Sequence, residues 1–313
     1  MNSLPAYQNF QEKNRFFKIS SRFPDNKIET KEEFEQWYTR WKAKAAERSI
    51  HTTFFRGMGN ASYKLFTSAQ RTWLTNRIEG PHGKLKYRDF FKELLNTIKE
   101  HKLLSQVFDH YCLNENELSF PALSIIQHYG GPTPLMDWTH SLDVALFFAA
   151  DNTEITNDPN DINNYISIYR INNSKTGIRP LQKISFEDFP SFNDLMEEFK
   201  KGELSPDRLF YSSDFEKTDR QKQFTTLYNH NIIPQSGLFI FNPSRTNPLE
   251  EYFSKEQKEK TQIRCYNIHK RLVEHIRDML NKIGITSSFI YPKLDVEIGD
   301  IKTKTIAKFF NQA

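Results

Sequence analysis

Four polar side chains that can carry or orient charge lie close together near the middle of the chain: Gln127, His128, Tyr129 and Asp137. Imidazole and carboxylate groups are common proton carriers in enzymes. Gly130-Gly131-Pro132 falls between them and predicts a sharp turn, because glycine permits a positive φ and proline fixes its own φ. A polar cluster on such a turn is typical of a rigidly supported site. Two simpler interpretations stay open: Asp137 as a helix cap, and His128 as a hydrogen-bonded core histidine.

Apolar segments on both sides of this cluster indicate that it is anchored in a core. The run Ala122–Ile126 leads into the turn, and Leu135 with Met136 after it predicts a short buried strand. A helix is expected over Asp143–Ala150, and because it is apolar almost all round it belongs in the interior. Its cap is expected at one of three residues: Asp137, Thr139 or Ser141.

The segments before the cluster predict helices and short strands. Thr30–Glu33 has the form of a capping box, and the helix that it opens carries an aromatic stripe that we expect to pack onto the domain. Residues 52–55 are β-prone, and this strand is expected to stop at Arg56-Gly57. Tyr63–Ser68 predicts a second short strand, and residues 85–108 predict a long helix.

The segments after the cluster predict two strands and one long helix. Residues 151–164 are rich in Asn, Asp and Pro and predict a loop. A strand follows at Tyr165–Tyr169, and Ile232–Phe241 predicts a turn and then a strand. Cys265–Ile283 has helical spacing of its apolar residues and ends at Gly284, so it predicts a helix.

Bulk properties exclude several classes of protein. The 43 basic and 39 acidic residues give a net charge of +4, which permits a nucleic-acid partner without requiring one. Cys112 and Cys265 are too few for a disulfide scaffold or a cysteine zinc site. Neither a membrane span nor a secretory signal is evident, so the cytoplasm is expected. Glycine-rich nucleotide loops, a nucleophile elbow and His-Glu-x-x-His spacing are absent from the sequence, and no metal is expected.

The central stretch Gln127–Thr139 resembles the signature of the FRG-domain family, whose usual form is Gln-His-Tyr-Gly-x-Pro-Thr-Arg-Leu-Leu-Asp-Trp-Thr. Phe55-Arg56-Gly57 matches the triplet that names the family. Tyr63, Leu65, Ser68 and Arg71 resemble a following element, with Thr67 in place of a proline. Weaker likenesses at Gln235–Phe239 and Phe289–Asp295 extend the resemblance over roughly residues 50–297. Pro134 departs from the pattern, since it replaces the usual arginine.

This resemblance implies an α+β fold with an ADP-ribosyltransferase-like split β-sheet core, a helical N-terminal lead-in and flanking helices. It implies a helical extension over residues 1–50 and the FRG domain proper over residues 51–313. The link between the two families is made at the level of the fold.

The same resemblance implies that NAD is bound and cleaved as a substrate. Arg56 is then expected to hold the pyrophosphate or ribose, and Tyr129 to stack on nicotinamide. His128 would act on the ribose or the acceptor, Gln235 would bind a ribose hydroxyl, and Asp137 would be the base or orient His128. Further cofactor contacts are expected from six residues: Phe55, Gly57, Ser68, Arg71, Thr133 and Trp138.

The expected activity is mono-ADP-ribosylation by a bacterial toxin or antiviral-defence effector. A nucleic-acid acceptor is favoured, with single-stranded RNA ahead of DNA because unpaired bases are accessible. Lysine-rich stretches at residues 84–102 and 255–270 fit such an acceptor. A protein acceptor stays open, an antitoxin protein could act as partner, and no membrane contact is expected. The alternative from another class is a non-catalytic module that binds a nucleotide or a partner.

Overall fold

The computed structural model describes residues 3–47, 53–78, 87–110, 120–155, 157–172, 178–180, 210–213, 230–242, 244–255 and 263–293. Most of the weakly patterned stretch 172–230 lies outside these residues, as do Cys112, most of residues 255–262 and the part of the lysine-rich stretch 84–102 that precedes residue 87. In the described part of the chain no helix is long and apolar enough to span a membrane.

One mixed β-sheet organises the described residues. Its strands are β1 Lys27–Ile28, β2 Thr53–Met58, β3 Leu135–Thr139, β4 Tyr165–Asn172, β5 Arg179–Pro180, β6 Phe210–Ser213, β7 Gly237–Phe241 and β8 Ile263–His269. The spatial order is β1-β8-β4-β2-β3-β7-β6-β5, so two-residue strands form both edges. Those edge strands pair in parallel with β8 and β6, and all other pairs are antiparallel. β2 and β3, which carry Arg56 and Asp137, are central neighbours.

Helices surround this sheet. They are α1 Phe10–Lys13, α2 Lys31–Glu47, α3 Ser68–Asn76, α4 Tyr87–Glu100, α5 Lys102–His110, α6 Phe120–His128, α7 Leu142–Ala150, α8 Leu249–Lys255, α9 Val273–Lys282 and α10 Ser287–Ile290. A mixed sheet with intervening helices confirms the predicted α+β class.

Both faces of the sheet are covered. On one face Phe54, Met136 and Trp138 belong to a buried cluster that also takes in Tyr7 and Phe10 from the N-terminal segment. The other face is packed by helices: α7, α2 and α9 over β2, β4 and β8, and α3 and α6 over β3 and β7. The N-terminal residues therefore share their core with the rest of the chain. The predicted boundary at residue 50 stays a prediction.

Local signals predicted several elements correctly. Thr30 Oγ1 accepts from the Glu33 amide, and the Glu33 carboxylate accepts from the Thr30 amide, which completes the capping box of α2. The aromatic stripe of α2 is buried as expected. Of the three candidate caps of α7, Ser141 is the one used, since its Oγ accepts from the Val144 amide. Asp137 lies inside β3, so its helix-cap interpretation is wrong.

Two predicted elements before the cluster were wrong. Tyr63–Ser68 is no strand, because only an isolated bridge joins Tyr63 to Ala6 and Thr67 instead forms a capping box with Gln70 that opens α3. β2 does not stop at Arg56-Gly57 but continues to Met58. A third prediction was too simple, since the helix expected over residues 85–108 is divided at His101 into α4 and α5.

The predicted helix Cys265–Ile283 was wrong over its first third. Cys265–His269 belongs to β8, which pairs with β4 at seven positions from Ile263 to His269. Helical structure begins at Lys270 as a short 3-10 turn, and α9 follows. Apolar spacing alone could not separate the two, because pairing with β4 overrides a local helical pattern. Ile283, expected to face inward, is 51% exposed beyond the end of α9.

Candidate active site at the centre of the sheet

A cavity of about 350 Å³ opens where β2 and β3 meet the end of α6. That volume lies within the range of small-molecule sites. Its walls come from separate parts of the chain: β2, α6, β3, α7, the turn before β7 and the residue after α10. Arg56, His128, Asp137 and Gln235, which were predicted as catalytic from distant segments, all line it.

Arg56 enters the cavity from β2. It is half-buried, and its Nη1 donates to the main-chain oxygen of Asp137 on the adjacent strand. Burial lowers the pKa of Arg56, the Asp137 carboxylate raises it, and the nearby Arg71 guanidinium lowers it. An arginine starts from so high a pKa that it stays charged. The site therefore holds a fixed cation next to a carboxylate.

The neighbours of Arg56 in the Phe-Arg-Gly triplet have packing roles. Phe55 is 2% exposed and belongs to the cluster under α7. A Cβ on Gly57 would lie 1.8 Å from the main-chain oxygen of Ala145, so only glycine lets α7 approach β2 this closely. Both residues line the cavity, and the polar side chain of the triplet is that of Arg56, which donates to Asp137.

Asp137 is oriented by a chain of hydrogen bonds. Its Oδ2 accepts from Gln127 Nε2 at 2.8 Å. The other end of the Gln127 amide, Oε1, accepts from Thr133 Oγ1 and lies 3.1 Å from Ser68 Oγ. Because an ionised carboxylate only accepts, the end of the Gln127 amide that faces Asp137 has to be its nitrogen, and Oε1 is left facing the two hydroxyl groups. Asp137 is exposed in a strand whose other four residues are buried.

Ser68 and Thr133 thus act behind the cavity and not on its surface. Ser68 Oγ accepts from the Thr133 amide at 2.9 Å and lies within hydrogen-bonding distance of the Gly131 and Thr133 main-chain oxygens. Thr133 is fully buried. These two residues, predicted as cofactor contacts, fasten the turn of the signature to the start of α3.

His128 ends α6 and Tyr129 follows it, and the two side chains have different surroundings. His128 is half-buried and lines the cavity. Tyr129 is 79% exposed and is not part of the cavity wall, although its ring lies 4.8 Å from the His128 ring, edge to face. Gly130 follows with a φ of 78°, a conformation that glycine adopts without strain and that ends the helix. The structure therefore does not bring Tyr129 to the position expected for stacking on nicotinamide inside the cavity.

Gln235 lines the cavity and is held by its neighbours. Its Nε2 donates to the Ile290 main-chain oxygen at 3.2 Å, and its own main-chain oxygen accepts from Thr139 Oγ1 at 2.6 Å. These contacts join the turn before β7 to the end of β3 and to α10. Because its amide nitrogen already has this partner, Gln235 reaches a ligand most directly through its Oε1.

The remaining predicted contacts lie behind or beside the cavity. Trp138 is 3% exposed and contributes to the wall from within the core of the first face. Arg71 is exposed on α3, donates to the Phe66 main-chain oxygen at 3.1 Å and is not a wall residue, yet its charge acts on Arg56. Pro134, at the position of the usual arginine, is buried and its main-chain oxygen accepts from the Asn242 amide.

Sequence reasoning did not assign five wall residues to the site: Gln127, Thr139, Phe148, Asn231 and Tyr291. Gln127 was part of the polar cluster. Its contact with Asp137 could not be predicted, because the sequence does not show that Ser68 and Thr133 hold the other end of its amide. The Tyr291 ring lies 6.4 Å from the Phe148 ring and 6.3 Å from that of Phe147. The sequence signal for Tyr291 was its position in the stretch Phe289–Asp295, which resembles the last element of the family pattern.

No group of three His, Cys, Asp or Glu side chains placed to hold a metal ion occurs among the described residues. The polar side-chain groups at this cavity include one guanidinium, one carboxylate, one imidazole, the amides of Gln127, Asn231 and Gln235 and the hydroxyl groups of Thr139 and Tyr291. Such a set has the chemistry to bind and polarise a substrate that carries its own charge.

Comparison with known proteins bears on the same region. No curated protein and no solved structure matches the chain significantly. The family model described as FRG domain matches residues 51–158, which include β2, α6, β3 and α7. Most of the cavity wall, from Phe55 to Phe148, comes from this segment. The match confirms the likeness to the FRG-domain family that the motifs at residues 55–57 and 127–139 indicate.

Proposed function

We propose that this chain is an NAD-dependent mono-ADP-ribosyltransferase built on an ADP-ribosyltransferase-like split sheet. The observation that carries the proposal is the convergence of Arg56, His128, Asp137 and Gln235 on one cavity. Each comes from a different element, and the order of a strand-borne arginine, a middle polar element and a late glutamine is that of the transferase fold. The central position of β2 beside β3 supports this reading.

The chemistry would rest on placement of charge. Cleavage of the nicotinamide–ribose bond passes through an oxocarbenium-like state, as glycoside hydrolysis does. In the proposed reaction Arg56 binds the pyrophosphate, and the Asp137 carboxylate stabilises the positive charge that develops on the ribose or takes the proton from the acceptor. The Gln127 amide keeps that carboxylate in one orientation before substrate arrives.

The acceptor that we propose is nucleic acid, with single-stranded RNA ahead of DNA. The chain carries a net charge of +4, and the exposed Arg71 lies near the cavity. Unpaired bases offer exocyclic amines without the cost of opening a duplex. Such an activity suits a bacterial toxin or antiviral effector in the cytoplasm, under the control of an antitoxin. ADP-ribosylation of a protein is the competing outcome.

The test is turnover of labelled NAD by purified protein with total cellular RNA or protein as acceptor. Arg56→Ala and Asp137→Asn are expected to abolish both nicotinamide release and label transfer, with the thermal midpoint retained. Arg40→Ala and Asp278→Asn, two exposed residues outside the cavity wall, serve as matched controls and should keep full activity. Activity in both site variants equal to that of the controls refutes the assignment. Nuclease or protease treatment of the product identifies the acceptor.

A second candidate is a binding module without turnover. It is favoured by one observation, that Asp137 is the sole carboxylate on the cavity wall among the described residues, while the late polar residue is the amide Gln235. A module of this kind would bind NAD or a related nucleotide in the same cavity and release no nicotinamide.

A further inference from the structure

Besides its polar groups, the cavity has a pair of neighbouring aromatic side chains in its wall. Tyr291 and Phe148 line it, and their ring centroids are 6.4 Å apart at an interplanar angle of 72°. Tyr291 is 41% exposed, so a large part of its ring is open. Arg56 and Asp137 line the same cavity. A partly exposed aromatic ring in one cavity with a guanidinium and a carboxylate suits a ligand with a flat part and a charged part.

The short helix before Tyr291 holds this ring in place. Thr286 caps α10 through its Oγ1, which accepts from the Phe289 amide, and Ile290 is fully buried. The Tyr291 amide donates to the Ser287 main-chain oxygen at 2.8 Å. Pro292 follows and disfavours a helical backbone at Tyr291, whose φ is −122°. The ring is therefore positioned before a ligand binds.

Gln235 connects α10 and Tyr291 to the rest of the site. Its Nε2 donates to the Ile290 main-chain oxygen, one residue before Tyr291. The main-chain oxygen of Gln235 accepts from Thr139 Oγ1, two residues after Asp137 in β3. Gln235 thus links α10, which precedes Tyr291, through its side chain and β3, which carries Asp137, through its main chain.

We propose that Tyr291, backed by Phe148, is the surface on which the flat ring of the substrate stacks, and that Gln235 is a positioning residue that holds Tyr291 there. The inference rests on the proposed function, and it gives Tyr291 the stacking role that the motif alone would give to the exposed Tyr129. The flat ring is the nicotinamide of NAD or, if the dinucleotide binds in the reverse direction, its adenine. Burial and the carboxylates of Asp151 and Asp137 raise the pKa of Tyr291. Its hydroxyl therefore stays protonated and can donate towards a ligand or Asp137.

Equilibrium binding of NAD to the full chain tests the stacking role. Tyr291→Ala is expected to weaken NAD binding roughly 5- to 150-fold, which corresponds to the loss of about 1–3 kcal/mol from stacking of a base on an aromatic side chain. Tyr291→Phe should bind within about threefold of the wild type, because the ring is kept. Phe289→Ala is the matched control: Phe289 lies in the same short helix, is 42% exposed and is not a wall residue. It should bind NAD as the wild type does.

A double-mutant cycle tests the positioning role. If Gln235 acts through Tyr291, Gln235→Ala weakens binding on its own but adds no loss to Tyr291→Ala. Additive losses, as expected of a direct contact between Gln235 and the ribose, overturn the positioning role. Tyr291→Ala binding as tightly as Phe289→Ala overturns the stacking role and leaves the proposed function standing. Failure of the wild type to bind NAD and to release nicotinamide overturns both.

Discussion

Replacing Gly57 by alanine should damage both the stability of the protein and its site. The added Cβ would lie 1.8 Å from the Ala145 main-chain oxygen and 2.7 Å from the Ala149 main-chain nitrogen, both in α7. A carbon–oxygen contact of ordinary length is about 3.4 Å, so α7 and β2 would have to separate by roughly 1.6 Å. Backbone atoms cannot rotate away as a side chain can. Because α7 is buried on nearly all sides, that movement disturbs the whole cluster beneath it.

The expected loss in the free energy of unfolding is about 3 kcal/mol or more, at the upper end for overpacked cores. With an unfolding entropy of about 2.1 cal/mol/K per residue, a loss of about 3 kcal/mol lowers the thermal midpoint of this 313-residue chain by roughly 5 °C. Gly59→Ala is the matched control, in the same segment. Its Cβ would meet the Thr153 hydroxyl at 2.8 Å, and that side chain can turn at the cost of its bond to the Ala149 oxygen, about 1 kcal/mol.

Thermal and urea unfolding of the two variants beside the wild type give the comparison. NAD binding adds a second readout, because a shifted β2 carries Arg56 away from Asp137 while Gly59→Ala leaves it in place. Equal unfolding midpoints for the two variants would refute the close approach of α7 to β2. A stable Gly57→Ala chain that no longer binds NAD would instead show that the glycine is needed at the ligand and not under the helix.

Two further predictions concern side chains that the cavity and the core hold in place. Gln127→Leu removes the donor to Asp137 and should lower NAD turnover roughly 10–100-fold, because a hydrogen bond to a charged group contributes about 1.5–3 kcal/mol; turnover equal to that of the wild type would show that Asp137 needs no orientation. Burial lowers the pKa of Lys13 from its ordinary 10.5, so the unfolded chain binds this proton more tightly and the contribution of Lys13 to stability grows as pH rises towards that value. The wild type should therefore gain stability relative to Lys13→Met between about pH 7 and about pH 10, and a difference that stays constant or shrinks in urea unfolding would contradict the burial of this charge.

Elements whose signals are local could be predicted from the sequence. The capping box at Thr30 and the cap at Ser141 each depend on atoms within three residues. The buried strand after Pro134 and the apolar α7 follow from composition over a few positions. In these segments the local conformational preference agrees with the final fold, so a short stretch of sequence predicts the element correctly.

Elements decided by distant partners could not be predicted. β8 has apolar spacing that continues into α9, and its pairing with β4 and β1 makes it a strand. The oxygen of the Gln127 amide is held in part by Ser68, which belongs to another helix. Tyr291 reaches the cavity through a bond from Gln235 to Ile290. Each of these depends on a contact between segments that no short window of sequence contains.

Asp137 is a case in which the sequence did contain the decisive signal. A strand buried on both faces reads as a continuous apolar run, and Leu135, Met136 and Trp138 follow that rule. A carboxylate in such a strand costs free energy unless it is paired or reaches solvent. Here Asp137 does both, since it is exposed at the cavity and accepts from Gln127. A charged residue that interrupts a central strand, is open to the cavity and is supplied with its own donor is what the proposed role of Asp137 requires.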